Sequence, residues 1–303
     1  MDHQFAGIIE FITVVDQGSF TNAAEVLGLT GSAVGKSMNK LEKRLGIQLF
    51  HRTTRRLALT PEGEIWLRSC RRLVEELEAT QSLLSQENNS PTGRIRIDLP
   101  TTFGRRYIFP TLLEIIHRYP QLDLTVTFQD RAVDLIQEGI DLVVRIGELK
   151  DSTDIIAKSL GHQTLLICAS PDYLKKYGTP QSKEDLKHHQ CLIGWRSHSK
   201  GYWFLRNTLN ETELHEINYN HEIPDGDAIL SACMSGLGLA QLPSWLAFEA
   251  IRDGKLIPIL PEISGVKIPI NILWQKRWHL QPKIRVVVDE IMTFIKANPK
   301  LFN

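Results

Sequence analysis

The sequence predicts an α/β protein in two parts: an N-terminal winged helix-turn-helix with a long linker helix, then a two-lobed α/β domain. Three observations predict it. Gly18 to Gly63 contains a helical stretch, a Gly-Leu-Thr turn, a longer helical stretch and a basic hairpin. Residues 61–87 repeat apolar side chains at heptad spacing. Beyond residue 94, alternating apolar runs are separated by helical patterns.

The elements follow in chain order. Phe5, Ile8, Ile9, Phe11, Ile12 and Val15 make a helical apolar stripe that Gly18 ends. Ser19 or Thr21 caps a second helix through Ala23, Ala24, Val26 and Leu27, and Gly28 stops it. Thr30 or Ser32 caps a third helix reaching about Leu45. Its inner face is Val34, Met38, Leu41 and Leu45, spaced four, three and four, and its outer face is Ser32, Lys36, Ser37, Asn39 and Lys40. Leu49 to Thr60 then forms two short strands around a Thr-Thr-Arg tip.

Charge gives this segment its chemistry. The chain has 303 residues, 35 basic and 35 acidic, so its formal net charge is zero. Taken alone, that balance argues against nucleic-acid binding. Between Gly31 and Thr60, however, the basic residues are Lys36, Lys40, Lys43, Arg44, Arg52, Arg55 and Arg56, and the acid is Glu42. A local basic face is what phosphate binding requires. In a helix-turn-helix the start of the second helix meets base edges, and a wing reaches phosphates or the minor groove. The candidate contacts with double-stranded DNA are therefore Thr30, Ser32, Gly35, Lys36, Asn39, Lys40, Arg52, Thr53, Thr54, Arg55 and Arg56. A solvated basic helix is the competing reading.

The motifs occur in a definite order. They are Phe11, Gly18-Ser19-Phe20, Ala23-Ala24, Ser32-Ala33-Val34, Leu41-Glu42, Leu45-Gly46, Leu49 to Arg55 and Leu59 to Gly63. In this order they closely resemble the DNA-binding region of the LysR-type transcriptional regulators. Two positions depart from that pattern. Gly31 stands where the family usually has proline or glutamine, and Gly35 where it usually has serine. A glycine inside a helix costs about 1 kcal/mol relative to alanine, and Gly35 brings no hydroxyl to DNA.

Thr60-Pro61-Glu62 is a helix start, with a capping threonine, proline in the first turn and acids at the positive end. Trp66, Cys70, Leu73, Leu77, Thr80 and Leu84 form the heptad stripe of a helix to about Gln86. The candidate dimerisation residues are Trp66, Cys70, Leu73, Leu77 and Leu84; packing of the helix on its own domain is the alternative. The resemblance implies that this helix is a dimerisation element, in a homodimer or a homotetramer. The expected division is 1–60 for the winged domain, 61–87 for the linker helix, and 88–93 for a hinge. Residues 94–303 form the effector domain, with lobe I at about 94–163 and 266–303 and lobe II at about 164–265.

In the last region strands are expected at Arg94–Leu99, Leu122–Phe128, Asp141–Ile146, Leu165–Ala169, Leu239–Leu242 and Val266–Trp274. Helices are expected after Phe103 and at Ala132–Glu138, Asp227–Ser235 and Lys283–Ala297. The alternation implies a mainly parallel sheet. The plan resembles the periplasmic-binding-protein-like effector domain of the same family, so the likeness covers nearly the full chain. Ligands of open α/β sheets sit at the carboxyl ends of strands. The candidate effector residues are Thr101, Thr102, Gln129, Arg145, Gly147 and Asp227; their meeting is implied by the resemblance. The competing readings are a helix cap for the threonines and a structural ion pair for Arg145. If Arg145 faces a cleft, fork geometry favours a small carboxylate effector.

Other chemistries are less well supported. No Gly-x-Ser-x-Gly, P-loop, His-Glu-x-x-His or paired-carboxylate motif occurs, so no enzyme is expected. His188-His189 with Cys191 lacks a completing ligand set, and no metal or cofactor is expected. Cys70, Cys168, Cys191 and Cys233 form no C-x-x-C pair. A thiol redox switch needs exposed, acidic thiols, and Cys233 sits in an apolar helix. The start MDHQFAGIIEF does not read as a signal peptide, and no apolar run approaches a membrane span, so a cytoplasmic protein is expected. The reading is a ligand-responsive, DNA-binding transcriptional regulator. The alternatives are a cytoplasmic solute-binding protein and a redox-sensing regulator.

Overall fold

The computed structural model describes residues 5–51, 57–84, 91–149, 152–194, 201–278, 281–299 and 302. The chain divides into two compact units, Met1–Asn89 and Ser90–Asn303.

The first unit contains helices α1 (Ile8–Gln17), α2 (Phe20–Leu27) and α3 (Gly31–Leu45), strands β1 (Phe50–His51) and β2 (Ala58–Leu59), and helix α4 (Pro61–Leu84). Ser19 caps α2 by accepting the amides of Thr21 and Asn22. Gly28 closes α2 with φ of 65°, a left-handed value that glycine adopts at no steric cost. Thr30 caps α3 by accepting the Ala33 N–H. Ile8, Phe11, Val14, Ala23, Ala24, Val34, Met38 and Leu41 are buried together. The α1 stripe is therefore rotated from the expected one: Phe5 and Ile9 are exposed and Val14 is inside. One face of a ten-residue helix must choose between adjacent apolar residues, and the partners decide.

Strands β1 and β2 pair antiparallel, Phe50 with Leu59 and His51 with Ala58. Phe50 anchors the hairpin, its ring 5.4 Å from Phe11 and 5.7 Å from Phe20. Thr60 caps α4: its hydroxyl accepts the Gly63 N–H and donates to the Gln48 carbonyl at 2.7 Å. A Cβ at Gly63 would lie 2.2 Å from the Leu49 oxygen, so only glycine allows helix and hairpin to approach this closely. Helix α4 has 24 residues, which makes it about 36 Å long.

The second unit is built on a nine-stranded sheet in the order β10-β7-β11-β6-β13-β5-β3-β4, with β12 also paired to β6. Its first part is β3 (Gly93–Leu99), a short α5 (Thr101–Phe103), a π-helical turn Gly104–Ile108, α6 (Phe109–Arg118), β4 (Leu122–Phe128) and β5 (Leu142–Ile146). The chain continues through β6 (Ile155–Ala169), α7 (Pro171–Tyr177), β7 (Cys191–Ile193), β8 (Tyr202–Arg206), β9 (Thr212–Glu216) and β10 (Tyr219–Glu222). It ends with α8 (Gly226–Met234), β11 (Leu239–Pro243), α9 (Ser244–Arg252), β12 (Ile257–Ile259), β13 (Val266–Gln275) and α10 (Pro282–Ala297).

The structure corrects two expectations about this unit. The sheet is mixed rather than mainly parallel. β3 is parallel to β4 and β5, and β7 to β10 and β11, whereas β6 and β13 run antiparallel to each other and to their outer neighbours. Residues 132–138 are not helical; the chain runs irregularly to 134 and then turns over 135–139. Asp134 takes the Ile136 and Gln137 amides on its side chain, and Arg131 pairs with Glu138. An Asx turn of this kind competes with helix formation.

β6 and β13 carry the chain between the lobes. They pair from Val266–Leu165 to Gln275–Ile155, with a register shift between Ile270 and Asn271. The Leu165–Cys168 part of β6 also pairs with β11 of lobe II, and the Ile270–Trp274 part of β13 with β5 of lobe I. Two long continuous strands thus span both lobes, and the cleft lies across them.

Candidate functional site

The first candidate site is the outer face of α3. Ser32, Lys36, Asn39, Lys40 and Lys43 are exposed on it, and Gly35 is half-exposed. The spacing of three or four aligns them on one face. Thr30 lies at the helix start with its oxygen committed to the Ala33 N–H and 3.1 Å from the Ser32 hydroxyl. Ser37 is not on this face, because its hydroxyl donates to Glu10 of α1 at 3.1 Å. A Cβ at Gly31 or Gly35 would meet nothing within 4 Å, so neither departure from the expected sequence is forced by packing. Arg52, Thr53, Thr54, Arg55 and Arg56 lie outside the described residues.

Glu42 has a role that charge counting missed. Its Oε1 accepts the amides of Leu49 at 2.7 Å and Phe50 at 3.3 Å. The acid of the basic segment is therefore turned onto the root of the wing, where it fixes the hairpin and leaves the basic face on the outside. The spacing between Glu42 and Leu49 carries no standard motif, so only tertiary structure finds this contact.

Helix α4 splits the expected dimer stripe. Cys70 is fully buried in the core of its own unit, and Trp66, Leu67 and Val74 pack against that core. Arg71 also pairs with Asp16 of α1. Cys70 and Trp66 are thus intradomain contacts, which corrects the heptad reading of them. Leu73 and Leu77 are 42% and 61% exposed, alongside Ile65 at 59%. The backbone of Leu84 ends the helix, and its side chain lies outside the described part.

The second candidate site is a cavity of about 340 Å³ in the interlobe cleft. Thr102, Gln129 and Arg145 line it, as do Gln163, Trp203 and Trp245. No sequence motif pointed to the last three. Trp245 donates its indole N–H to Gln163 Oε1 at 3.0 Å, which closes the apolar floor. The lobes meet directly beside the cavity. Thr102 of α5 accepts the Gly226 amide of α8 at 3.2 Å, and a Cβ at Gly226 would lie 2.7 Å from the Thr102 hydroxyl. Tyr107 donates to the Trp245 carbonyl at 3.2 Å.

The other expected effector residues do not line this cavity. Thr101 donates its amide to Asp130 at 3.0 Å, at the start of α5. Gly147 donates its amide to Pro269 at 2.9 Å, holding the end of β5 beside β13. Asp227 pairs with Arg106, joining α8 to the π-helical turn across the cleft. All three are bound up in the framework around the cavity.

Arg145 does both things that its sequence position suggested. Its Nη1 donates to Asp98 at 3.3 Å, and Asp98 is fully buried. Asp98 also accepts from Thr127 and Gln129. Arg145 Nη2 is buried without a hydrogen-bond partner. Burial pulls the guanidinium below its ordinary value, and the neighbouring Asp98 opposes that shift.

The cysteines are buried free thiols. Burial pushes Cys168, Cys191 and Cys233 up to about 12 and Cys70 to about 11, with Arg44 opposing the shift at Cys70 and an Ala240 backbone hydrogen bond opposing it at Cys233. Thiols this protonated are poor nucleophiles, so the redox reading gains no support. Cys191 points toward the Leu186 carbonyl, and His189 bonds the Tyr173 hydroxyl. Among the described residues no three metal-ligating side chains converge, and no helix is long and apolar enough to cross a membrane.

Comparison with known proteins agrees with this architecture. Residues 9–64 match the bacterial regulatory helix-turn-helix protein model of the lysR family, and residues 88–295 match the LysR substrate binding domain. The chain belongs to the LysR family of transcriptional regulators. CrgA of Neisseria meningitidis serogroup C is 34% identical over 289 residues, covering 95% of this chain and 96% of that one. A transcriptional repressor of Pseudomonas aeruginosa is 33% identical, covering 96% and 92% respectively. Among solved structures, CrgA superposes with a TM-score of 0.61 at 31% identity, covering 95% of this chain and 98% of that one. Full-length AphB of Vibrio cholerae has a TM-score of 0.61 at 27% identity, covering 96% and 99%. This LysR-type protein is therefore a DNA-binding regulator with an effector-binding domain.

Proposed function

We propose that α3 reads the major groove through Ser32, Gly35, Lys36, Asn39 and Lys40, with Thr30 setting the helix start and Arg52, Thr53, Thr54, Arg55 and Arg56 contacting the flanking backbone. The observation that carries this reading is the basic face of α3, kept clear of acid by the inward turn of Glu42. Two reading heads come from a homodimer or homotetramer formed through α4, a role supported by exposed Leu73 and Leu77. An effector in the interlobe cavity, touching Thr102, Gln129 and Arg145, acts by preferring one arrangement of the lobes. A ligand shifts such an equilibrium only by its difference in affinity for the two states. The protein works in the cytoplasm by binding, without catalysis. The test is a gel-shift against DNA flanking its own gene across a salt series. Selective, salt-sensitive shifting supports the assignment; equal affinity for unrelated DNA at every salt concentration rejects it.

A further inference from the structure

We propose that the interlobe cavity takes an uncharged, flat aromatic compound with a hydrogen-bond-accepting oxygen, such as a carboxamide or conjugated ketone, in preference to a free carboxylate. This rests on the cavity being the effector site. Phe103, Tyr202, Trp203 and Trp245 line a space of about 340 Å³, which is enough for a bicyclic ring system. Such walls favour stacking and edge contacts with an aromatic ring.

Gln163 has its oxygen engaged by Trp245, so it offers a ligand its amide NH2. Arg145 lines the cavity as a cation, with Nη1 held by Asp98 and Nη2 buried without a partner. Both are donors, so the occupant must bring an acceptor. The charge balance decides which kind. Around Arg145 stand Asp98, Asp130, Arg131 and Glu138, so two cations face three carboxylates among the described residues. Arg131 is held bidentate by Glu138, and Asp98 matches Arg145 in the buried layer. An entering carboxylate would lose its hydration without gaining an uncompensated cation, and with half of the Arg145 fork already used. Burying an anion under those conditions is unfavourable. A neutral carbonyl oxygen accepts from Gln163 and the Arg145 side of the cavity without that penalty.

The experiment compares naphthalene-2-carboxamide with naphthalene-2-carboxylate, which share shape and differ in charge, by calorimetric titration of the full-length protein. The expected result is saturable binding of the amide, with the carboxylate weaker by about tenfold or more. Asp98→Asn frees the Arg145 charge and should move the preference toward the carboxylate by about tenfold. Asp130→Asn, at the exposed rim, keeps an oxygen for the Thr101 amide. It should narrow the preference by about threefold, and it supplies the answer if Asp98→Asn does not fold. Equal or tighter binding of the carboxylate, binding of neither compound, or a preference that ignores these substitutions would overturn the proposal. Gel-shift with and without saturating amide reports separately whether an occupied cavity alters DNA binding, so the ligand preference and the effector-site reading fail independently.

Discussion

Replacing Glu42 tests whether the wing is set by one side chain. Its carboxylate accepts the Leu49 and Phe50 amides at 2.7 and 3.3 Å, and Leu49 is fully buried. Glu42→Ala removes a charged acceptor and leaves the Leu49 N–H without its partner. Hydrogen bonds to charged groups are worth about 1.5–3 kcal/mol, and a buried unsatisfied donor costs about 1–3 kcal/mol. These are alternative measures of the same loss, so the expected destabilisation is about 2 kcal/mol. In a folding unit of 89 residues, that lowers the melting temperature by roughly 8–16 °C. Glu42→Gln keeps an amide oxygen but loses the charge, and charge-assisted bonds are about twice as strong as neutral ones. It should cost about half as much. Differential scanning calorimetry of the full chain reads this directly, because the transition of the effector domain serves as an internal reference. DNA affinity adds a second reading. Removing an acid makes the segment more basic, so simple electrostatics predicts tighter binding, whereas loss of wing geometry predicts weaker selective binding. An unchanged melting temperature in Glu42→Ala, or equal losses for Ala and Gln, would refute this account of the hairpin.

Gly35→Ala should stabilise the first unit by about 1 kcal/mol, since the added methyl meets open space and helix propensity improves; chemical denaturation measures it. Lys36→Ala with Lys40→Ala should weaken binding to all DNA and lower the slope of log affinity against log salt by about 1 for each phosphate no longer neutralised. Gly226→Ala places a methyl against Thr102 at the contact between lobes, so effector affinity should change while DNA binding without effector does not; calorimetry and gel-shift separate the two. At pH 8 a thiol at about 12 is ionised about once in ten thousand. Ellman's reagent should therefore find no reactive thiol before unfolding and all four afterwards. These thiols keep their protons more tightly when folded, so their stabilising contribution is complete below about 9.0 and declines as pH rises toward about 12.

Local chemistry carried far along this chain. Caps at Ser19 and Thr30, the stop at Gly28 and the Thr60-Pro61 helix start each act within four residues, so the sequence alone placed the helices of the DNA-binding unit. Strands Leu122–Phe128 and Val266–Gln275 were legible because alternation and long apolar runs are local too. What required the tertiary structure was every choice among equivalent local options. Heptad spacing marked Cys70 and Leu73 alike, but packing on α1 buried the first and left the second exposed. Composition showed Glu42 as an acid among bases without revealing that it faces Leu49. Thr101, Thr102, Gly147 and Asp227 all lie at strand or helix ends. Three of them hold the framework and Thr102 reaches the cavity, where β6 brings Gln163 and α9 brings Trp245 to the floor. Periodicity states which face of an element is apolar. Only the partner packed against it, often more than 80 residues away in sequence as Trp245 is from Gln163, decides what that face touches.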